Sequence, residues 1–375
     1  MTGQARIGII GAGFWSAYFY LPYLRAAPDA VCVGVVRRNE QALAALQRGF
    51  DLDVASTEVD ELLAAGCDGI IVASGHSMHR EHAITALEAG CHVLIEKPMT
   101  VTLADAQAVE RAAVKADRTL TVAHGYNYMP MSTWAIDLVG SGELGAPRHL
   151  TALMGSSLVG LFSGLDGYGD VEVGGYTFSA SPDTWAVADQ GGGYLYGQTS
   201  HQLGMALALV PSPPASVFAR LGRLENGCDI DVSLSVEFAD GTFATISGNG
   251  RVPWGVRTPM SIFLETESAV LSLDYTNEFA RAWAADDREH ELPDPDSVDR
   301  GYALRGFPPT HEFAVEPGEG LYTCEGPARM LIDRCLERPT LDRAPGGLGV
   351  RAVAIMEAAV ESARRGAAVE TGLAL

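Results

Sequence analysis

The sequence predicts an α/β N-terminal domain with a doubly wound parallel sheet, followed by an α+β C-terminal domain with an open, mainly antiparallel sheet. Continuously apolar strand patterns alternate with helical patterns up to about residue 124, and a glycine-rich loop follows the first strand. After residue 145 the pattern changes to strands in which apolar and polar residues alternate. A chain of 375 residues also exceeds one ordinary core. We therefore expect two domains, 1–124 and 125–375.

Five apolar runs in the first third predict parallel strands. Ala- and Leu-rich segments such as NEQALAALQRG lie between the runs and are typical of crossover helices. Because such helices cover both faces of a parallel sheet, its strands need no polar face. The runs are RIGII, AVCVGVV, GIIVAS, CHVLIE and TLTVAH.

Strict alternation in the segment CDIDVSLSVEFADGTFATISG predicts a hairpin with one covered and one polar face. Its polar positions are Asp229, Asp231, Ser233, Ser235 and Glu237. SVFARLG, PMSIFLETES, AVLSLD and FARAWAA extend it to a sheet of about six strands, with helices on one side. The polar face is either hydrated or paired with another subunit, and we expect a homodimer or homotetramer.

The composition excludes two classes of partner. A formal charge of -21 repels nucleic acid and anionic membrane surfaces. The six cysteines lie at irregular spacings without a C-x-x-C pair, which is typical of a reduced, cytoplasmic protein. No apolar run approaches the ~20 residues of a membrane span, and no signal peptide precedes the first strand.

The segment IGIIGAGFWS predicts a dinucleotide-binding loop. Gly11 permits a tight turn after the first strand, and Gly13 lets the backbone approach a pyrophosphate at the N-terminus of the next helix. Ser16 occupies the third position of the G-x-G-x-x-G pattern. Phe14 and Trp15 follow the loop directly, and we expect both to lie beside the cofactor.

The end of the second strand bears on the choice of cofactor. NAD-binding loops usually carry an acidic residue there, which accepts the ribose hydroxyls. This chain has Arg37 and Arg38 instead, and two guanidinium groups suit a 2′-phosphate. We therefore favour NADP over NAD. The alternative is that one or both arginines cover the adenine or face solvent.

Lysine is rare in this chain, and one of its lysines stands at a strand end. Against 24 arginines there are two lysines, Lys97 and Lys115. Lys97 follows the run CHVLIE in the tripeptide Glu96-Lys97-Pro98. Its position predicts a functional amine at the carboxyl edge of the parallel sheet, where ligands of such sheets bind.

Together with the glycine loop and the later GGGYLYGQTSHQLG, this tripeptide resembles the glucose-fructose oxidoreductase, inositol 2-dehydrogenase and rhizopine-catabolism (Gfo/Idh/MocA) family. Members are NAD(P)-dependent oxidoreductases with a Rossmann domain. The resemblance implies that Lys97 lies beside the nicotinamide and the substrate hydroxyl, after a commonly cis bond to Pro98. Glu96 is expected to anchor this loop.

The family segment T-P-x-x-x-H corresponds to residues 74–79, which depart from it at the first two positions. The resemblance places Ser74 and His76 along the cofactor and His79 at a helix start beside it. His76, His79 and His82 are spaced by three, but the motif fixes no acidic or Cys partner for them, so we expect no metal.

The family motif G-G-G-x-L-x-D-x-G-x-H matches this chain at Gly191-Gly192-Gly193 and at His201. Its Asp position is Gly197, and its later Gly is Thr199. The alternatives are that His201 works without its usual helper, that Tyr194, Tyr196 or Gln198 supplies a hydrogen bond, or that the reaction differs.

These residues predict reversible hydride transfer between nicotinamide and a secondary alcohol or ketone of a sugar, cyclitol or glycoside. Lys97 and His201 are the expected catalytic residues. Two alternatives remain: a lyase or glycosidase that recycles its cofactor through transient oxidation, and a non-catalytic NADP-binding sensor. Candidate substrate contacts are Trp185, Tyr194, Tyr196, Gln198 and Tyr126.

Overall fold

The computed structural model of the chain contains two large sheets joined by helices. A small two-stranded hairpin forms a third, separate sheet. The structure describes residues 3–165, 169–180, 182–285, 309–316 and 325–373.

The first sheet has six parallel strands in the described residues, in the order β3-β2-β1-β4-β5-β6. This doubly wound order confirms the predicted fold of the N-terminal part. Its strands are β1 (Ala5–Ile10), β2 (Ala30–Val36), β3 (Val54–Ser56), β4 (Gly69–Val72), β5 (His92–Ile95) and β6 (Leu120–Val122). Its helices are α1 (Leu21–Ala26), α2 (Glu40–Phe50), α3 (Val59–Ala64), α4 (His79–Glu88) and α5 (Leu103–Ala116).

The remaining elements form the second sheet, the hairpin and six further helices within the described residues. The helices are α6 (Pro130–Gly140), α7 (Val159–Ser163), α8 (Pro182–Trp185), α9 (Ser200–Leu209), α10 (Glu325–Cys335) and α11 (Gly346–Arg365). The strands are β7 (Pro147–Gly155), β8 (Asp170–Val173), β9 (Tyr176–Ser179), β10 (Pro214–Arg223), β11 (Asp229–Phe238), β12 (Phe243–Asn249), β13 (Met260–Thr266), β14 (Ala269–Asp274), β15 (Phe279–Ala284), β16 (His311–Phe313) and β17 (Val369–Glu370).

The second sheet is mainly antiparallel, as predicted, but it is larger than predicted. Where the sequence indicated about six strands, the described part of the chain contributes nine, in the order β16-β15-β14-β13-β7-β12-β11-β10-β17. The only parallel pair among them is β7 with β12. The sequence did not indicate β7, β16 or β17, since the pairing of short and distant strands depends on contacts that local alternation does not encode.

Helices α9 and α11 cover one face of the second sheet. The buried Ser362 hydroxyl of α11, for example, accepts the backbone N–H of Ala219 in β10 at 2.9 Å. Helix α10 packs instead on the first sheet, where Leu331 and Ile332 share a core with Ile7. The division at residue 124 stays a prediction, and α10 shows that the later chain returns to the first sheet.

The opposite face of the second sheet is open in this chain. Thr151, Ser233 and Ser235 are exposed there, as the alternation predicts. Large apolar side chains are also exposed on this face, at Leu153, Phe218, Phe243 and Phe263. Asp229 was predicted to belong to this polar face, and this is wrong because its side chain is buried, with 5% exposure.

The hairpin of β8 and β9 docks on the first domain. Phe178 is buried in the same core as the α2 residues Leu43 and Leu46. A Cβ atom on Gly174, whose φ is +57°, would lie 2.2 Å from the Ala45 carbonyl oxygen, so the hairpin turn approaches the α2 backbone closely. The hairpin therefore joins the second half of the chain to the nucleotide half.

Two bulk features complete the description of the chain. Within the described ranges, no helix combines the length and the apolar character needed to cross a bilayer. Five cysteines in the described part of the chain are free, namely Cys32, Cys67, Cys91, Cys228 and Cys335. The cytoplasmic location indicated by the cysteine pattern stays a prediction.

Candidate active site

The candidate site lies at the carboxyl edge of the first sheet. Strands β1, β4, β5 and β6 end immediately before Gly11, Ala73, Glu96 and Ala123. Because parallel strands present their carboxyl ends at one edge, the loops that follow them converge there. The glycine loop, Ser74, Lys97 and His124 are thereby brought to one side of the domain.

The glycine loop has the shape that a dinucleotide requires. A Cβ atom on Gly11, at φ +87°, would lie 2.2 Å from the Cα atom of Ser74, so only glycine fits. A Cβ atom on Gly13 would lie no nearer than 3.5 Å to its nearest neighbour, Arg37 Nη1. The helical segment that begins at Phe14 directs its first N–H groups out of its N-terminus. These residues fit a pyrophosphate group.

Phe14 and Trp15 lie in this helical segment and are partly buried. The Phe14 ring stacks on Tyr18 at 5.7 Å between centroids, and the Trp15 ring stacks on Phe19 at 5.9 Å. The Trp15 side chain also hydrogen-bonds the Glu96 carboxylate. These contacts hold the two rings against the helical segment and Glu96, and their contact with the cofactor stays a prediction.

Arg37 and Arg38 differ in their surroundings. Arg37 Nη1 donates to the Ala12 carbonyl oxygen at 2.9 Å, and its guanidinium lies 5.4 Å from the centre of the Phe178 ring. Its side chain also hydrogen-bonds Tyr176 of the hairpin. Arg38 is exposed. Arg37 therefore links the glycine loop to the hairpin, and of the two arginines Arg38 is the one that stands at the surface.

His79 joins two loops at the sheet edge. The ring lies between backbone carbonyl oxygens, with Nε2 2.9 Å from Ser74 O and Nδ1 2.9 Å from Pro98 O. Burial lowers the pKa of His79 to about 4. The Ser74 hydroxyl lies 2.9 Å from His82 Nδ1. His79 is thus placed behind the cofactor-facing loops, and its predicted contact with the cofactor is not tested by this geometry.

Glu96 anchors the loop that carries Lys97. Its carboxylate accepts the Tyr20 hydroxyl at 2.6 Å and the Lys97 backbone N–H at 3.1 Å. Burial raises the pKa of Glu96, while the charge of Lys97 and these hydrogen bonds oppose the rise. The Lys97–Pro98 peptide bond is cis, as the resemblance implies.

Lys97 is buried, with 8% exposure, and points toward the second half of the chain. Nζ donates to the carbonyl oxygen of Gly197 at 2.8 Å and lies 5.2 Å from the centre of the Trp185 ring. The Trp185 ring is edge-on to the His76 ring, at 4.9 Å between centroids. The lysine therefore bridges the two halves of the molecule at the site.

Three histidines surround the lysine and favour their neutral forms. Burial, followed by the charges of His79 and Lys97, holds the pKa of His76 well below its usual range. Burial and then Lys97 lower the pKa of His124 to about 3. His201 has a pKa well below its usual range, because of burial, Lys97 and His124 in that order. At neutral pH each ring is therefore uncharged.

The aromatic candidates for substrate binding fall into two groups. Tyr126 is partly buried, and its ring packs edge-on against His201 at 5.4 Å. Tyr194 is fully buried and donates to Met154 O at 2.9 Å, and Tyr196 donates to Val101 O at 3.0 Å. The Gln198 side chain is partly buried. Trp185 therefore lies beside Lys97, and Tyr126 lies beside His201. The hydroxyls of Tyr194 and Tyr196 are directed to backbone carbonyl oxygens instead.

The triple glycine matches a tight loop. Gly192 donates its N–H to Val187 O and Gly193 donates to Trp185 O, each at 3.0 Å. A Cβ atom on Gly193, at φ +101°, would lie 2.8 Å from Asp229 Oδ2. The glycines thus allow the loop to fold back on the residues that carry Trp185 into the site.

Asp229 was not identified from the sequence as a site residue. Its carboxylate accepts the N–H of Leu195 at 2.6 Å and caps the π-helical segment Leu195–Thr199. Burial raises the pKa of Asp229 to about 6. The only local signal of this role is that an acidic residue stands at the very start of β11. The alternation of apolar and polar residues assigned Asp229 to the exposed face of the sheet, which is wrong.

In the described portions of the chain, no group of three or more His, Cys, Asp or Glu side chains is placed to hold a metal ion.

Comparison with known proteins decides the family. Residues 5–124 match the model described as the oxidoreductase family with an NAD-binding Rossmann fold. Residues 134–270 match the GFO/IDH/MocA C-terminal domain. The chain belongs to the Gfo/Idh/MocA oxidoreductase family. The residues that carried the resemblance lie inside these two matches.

Individual members of the family are related to parts of the chain. A 1-carboxy-3-chloro-3,4-dihydroxycyclohexa-1,5-diene dehydrogenase of Comamonas testosteroni is 28% identical over 250 residues, which are 65% of this chain and 58% of that protein. Glucose-6-phosphate 3-dehydrogenase of Bacillus subtilis (strain 168) is 34% identical over 140 residues, 37% of this chain and 39% of that protein. The chain therefore spans less than two thirds of either relative.

A solved structure of the family shares the whole fold. The complex of levoglucosan dehydrogenase with NADH and levoglucosan superposes with a TM-score of 0.73 at 19% identity. The superposition covers 99% of this chain and 100% of that one. The likeness extends through both sheets.

Asp229 gives a pH-dependent prediction. Its pKa is about 6 in the folded protein and 3.8 for an ordinary solvated aspartate, so between these pH values the folded state binds a proton that the unfolded state does not. Stability should therefore rise as pH falls from about 7 to about 5, by about 1 kcal/mol. Asp229→Asn keeps an acceptor for Leu195 but does not titrate, and should lack this gain.

The measurement is urea unfolding of both proteins at the two pH values. The difference between them isolates Asp229, because the other carboxyls are common to both. If the free energy of unfolding depended on pH equally in the two proteins, the raised pKa of Asp229 would be contradicted.

Proposed function

We propose that the protein catalyses reversible hydride transfer between a nicotinamide cofactor and a secondary alcohol or ketone of a sugar, cyclitol or glycoside. One observation carries the proposal. Lys97, at the carboxyl edge of the nucleotide-binding sheet, extends to Gly197 and lies close enough to His201 for its charge to lower the pKa of that imidazole.

The chain's own groups suit the proton transfer of such a reaction. His201 is neutral at physiological pH and can take the proton of a substrate hydroxyl as the carbonyl forms. The Lys97 ammonium can stabilise the negative charge that develops on that oxygen. The nicotinamide, when bound, supplies the hydride acceptor. Burial of both side chains excludes water around them.

The substrate class is supported by the site and by the relatives. Trp185 and Tyr126 are partly buried beside Lys97 and His201, and aromatic faces next to hydrogen-bonding groups suit polyols. Two similar proteins are named for glucose 6-phosphate and levoglucosan, which are carbohydrates.

Substitution of the two catalytic candidates tests the proposal. Lys97→Met and His201→Ala should each lower kcat at least about 100-fold, which is the scale of acid–base catalysis. Lys115→Met changes the other lysine, exposed on α5, and should leave kcat unchanged. The measurement is absorbance at about 340 nm with NADP or NAD and a panel of sugars, cyclitols and glycosides. Near wild-type turnover by Lys97→Met would refute the assignment.

The same panel separates the alternatives. Net formation or loss of reduced cofactor supports the dehydrogenase. Product without a net absorbance change supports a lyase or glycosidase that recycles its cofactor. Cofactor binding without any product supports a sensor.

We also propose NADP as the preferred cofactor, with Arg38 as the residue that reads the 2′-phosphate. Strand β2 is followed by Arg37, Arg38 and Asn39, without the acidic residue that suits NAD. Arg37 is engaged with the glycine loop and the hairpin, whereas Arg38 is exposed. Because only one of the two guanidinium groups is exposed, we expect a moderate preference for NADP over NAD.

The cofactor assignment predicts different effects at the two arginines. Arg38→Ala should raise the KM for NADP about tenfold, the scale of one charged hydrogen bond, and leave the KM for NAD nearly unchanged. Arg37→Ala, which loosens the glycine loop, should raise both constants alike. Initial rates with each cofactor measure this. A lower KM for NAD than for NADP in the wild type would contradict the preference.

A homo-oligomer is a further part of the proposal. The open face of the second sheet carries four exposed apolar side chains, Leu153, Phe218, Phe243 and Phe263. Exposed apolar groups on a flat sheet favour a symmetric contact with a second copy. We propose that this face forms the subunit interface of a dimer or tetramer.

Light scattering at micromolar concentration should therefore give at least twice the 39.7 kDa mass of one chain. Phe263→Asp, near the middle of the face, should shift the protein toward monomers because it buries an unpaired charge. Leu341→Asp alters another exposed apolar residue, away from this sheet, and should have no such effect. A monomeric wild-type protein would exclude the interface.

A further inference from the structure

The surroundings of Gly197 differ from those of a site built for an acidic residue. A Cβ atom at this position would lie 2.9 Å from two ring carbons of Phe162 and 3.3 Å from Trp185 Cζ3. Contacts below about 3 Å force neighbouring atoms to move. Phe162 is fully buried, so its ring has little room to retreat. The structure therefore has no space for a carboxylate side chain here.

Two other groups meet the Lys97 ammonium at this place. The Gly197 carbonyl oxygen accepts a hydrogen bond from Nζ at 2.8 Å. The Trp185 ring lies 5.2 Å from Nζ, within the range in which the electron-rich face of an indole attracts a cation. A glycine at 197 is what allows this ring to approach.

Trp185 is itself held from both halves of the molecule. His76 meets its ring edge-on at 4.9 Å, and Phe162 lies 6.4 Å away at 62°. Its carbonyl oxygen accepts the Gly193 N–H at 3.0 Å. The ring therefore has a fixed position with respect to Lys97, as a positioning residue requires.

We propose that Trp185 is a positioning residue for Lys97, and that its ring and the Gly197 carbonyl together hold the ammonium charged and directed across the site. The role differs from the substrate contact expected for this tryptophan from the sequence. Its effect on turnover rests on the proposed dehydrogenase function. The effect of Trp185 on the protonation of Lys97 does not rest on that function, and it can be measured without substrate.

The two lysines of the chain make a direct test possible. Protein labelled with ¹³C and ¹⁵N at lysine gives side-chain signals from only Lys97 and Lys115, and Lys115, exposed on α5, serves as an internal reference. In Trp185→Leu the pH midpoint of the Lys97 signal should fall by about one pH unit, since the charged form loses a cation–π partner. Trp185→Phe keeps a weaker ring and should give a smaller fall.

Trp134→Leu is the matched control. It makes the same change at a partly buried tryptophan of α6, whose ring packs against Phe313 at 6.0 Å between centroids. The Lys97 midpoint should stay within about a quarter of a pH unit of wild type, on the scale set by the loss of a cation–π partner. Equal shifts in Trp185→Leu and Trp134→Leu, or no shift in Trp185→Leu, would overturn the proposal. Trp185→Phe preserves the test if the leucine variant does not fold.

Turnover provides the second measurement. The pH profile of kcat should move in the order wild type, Trp185→Phe, Trp185→Leu, by the amounts that the Lys97 signal moves, while the KM for NADP stays unchanged. A rise in the KM for the carbohydrate with an unmoved pH profile would instead identify a substrate contact and refute the positioning role. If no carbohydrate turns over, the dehydrogenase proposal fails, and the lysine signals still test the positioning role of Trp185.

Discussion

Burial of a single ammonium group is the constraint on which the candidate site depends. Moving a charge of this size out of water costs several kcal/mol unless hydrogen bonds and nearby charges replace the lost hydration. At Lys97 the replacement comes from the Gly197 carbonyl, the Trp185 ring and the neighbouring Glu96 carboxylate. The same charge, added to burial, disfavours protonation of His76, His124 and His201. The three imidazoles are therefore neutral at physiological pH, and a ring nitrogen lone pair is available to a substrate hydroxyl.

This arrangement explains why glycines gather around the site. Only a residue without a side chain lets the Trp185 and Phe162 rings close on position 197. At Gly193 the backbone has a positive φ and lies against Asp229, whose carboxylate caps the segment that presents Gly197. Backbone geometry and rings therefore stabilise the lysine together with the Glu96 carboxylate. The Asp229 carboxylate acts indirectly, through the helical cap.

The parts of this fold that the sequence predicted are those with a local signal. Continuous apolar runs identified five of the six parallel strands, and the glycine loop identified the nucleotide edge. Strand β3 was missed because its three residues, Val54–Ser56, are too short for any periodicity. Lys97 could be placed because it follows an apolar strand directly. Asp229 could not, since its burial depends on a helical segment more than thirty residues earlier. Nor could the direction of Arg37, which is decided by Tyr176 and Phe178 of a distant hairpin.

Arg37 shows how the two halves of the molecule act on one loop. Its guanidinium holds the carbonyl of Ala12, in the centre of the glycine loop, and meets two aromatic residues of the hairpin. Phe178 in turn is buried with residues of α2, so the hairpin cannot leave without exposing apolar surface. The shape of the nucleotide loop therefore depends on a segment of the second half of the chain. Lys97 makes the converse connection, from the nucleotide sheet to Gly197. Arg37 and Lys97 thus each join one half of the molecule to the other. Because displacement of either half would disturb both the glycine loop and the lysine, the two contacts keep the cofactor loop and Lys97 in a fixed relative position.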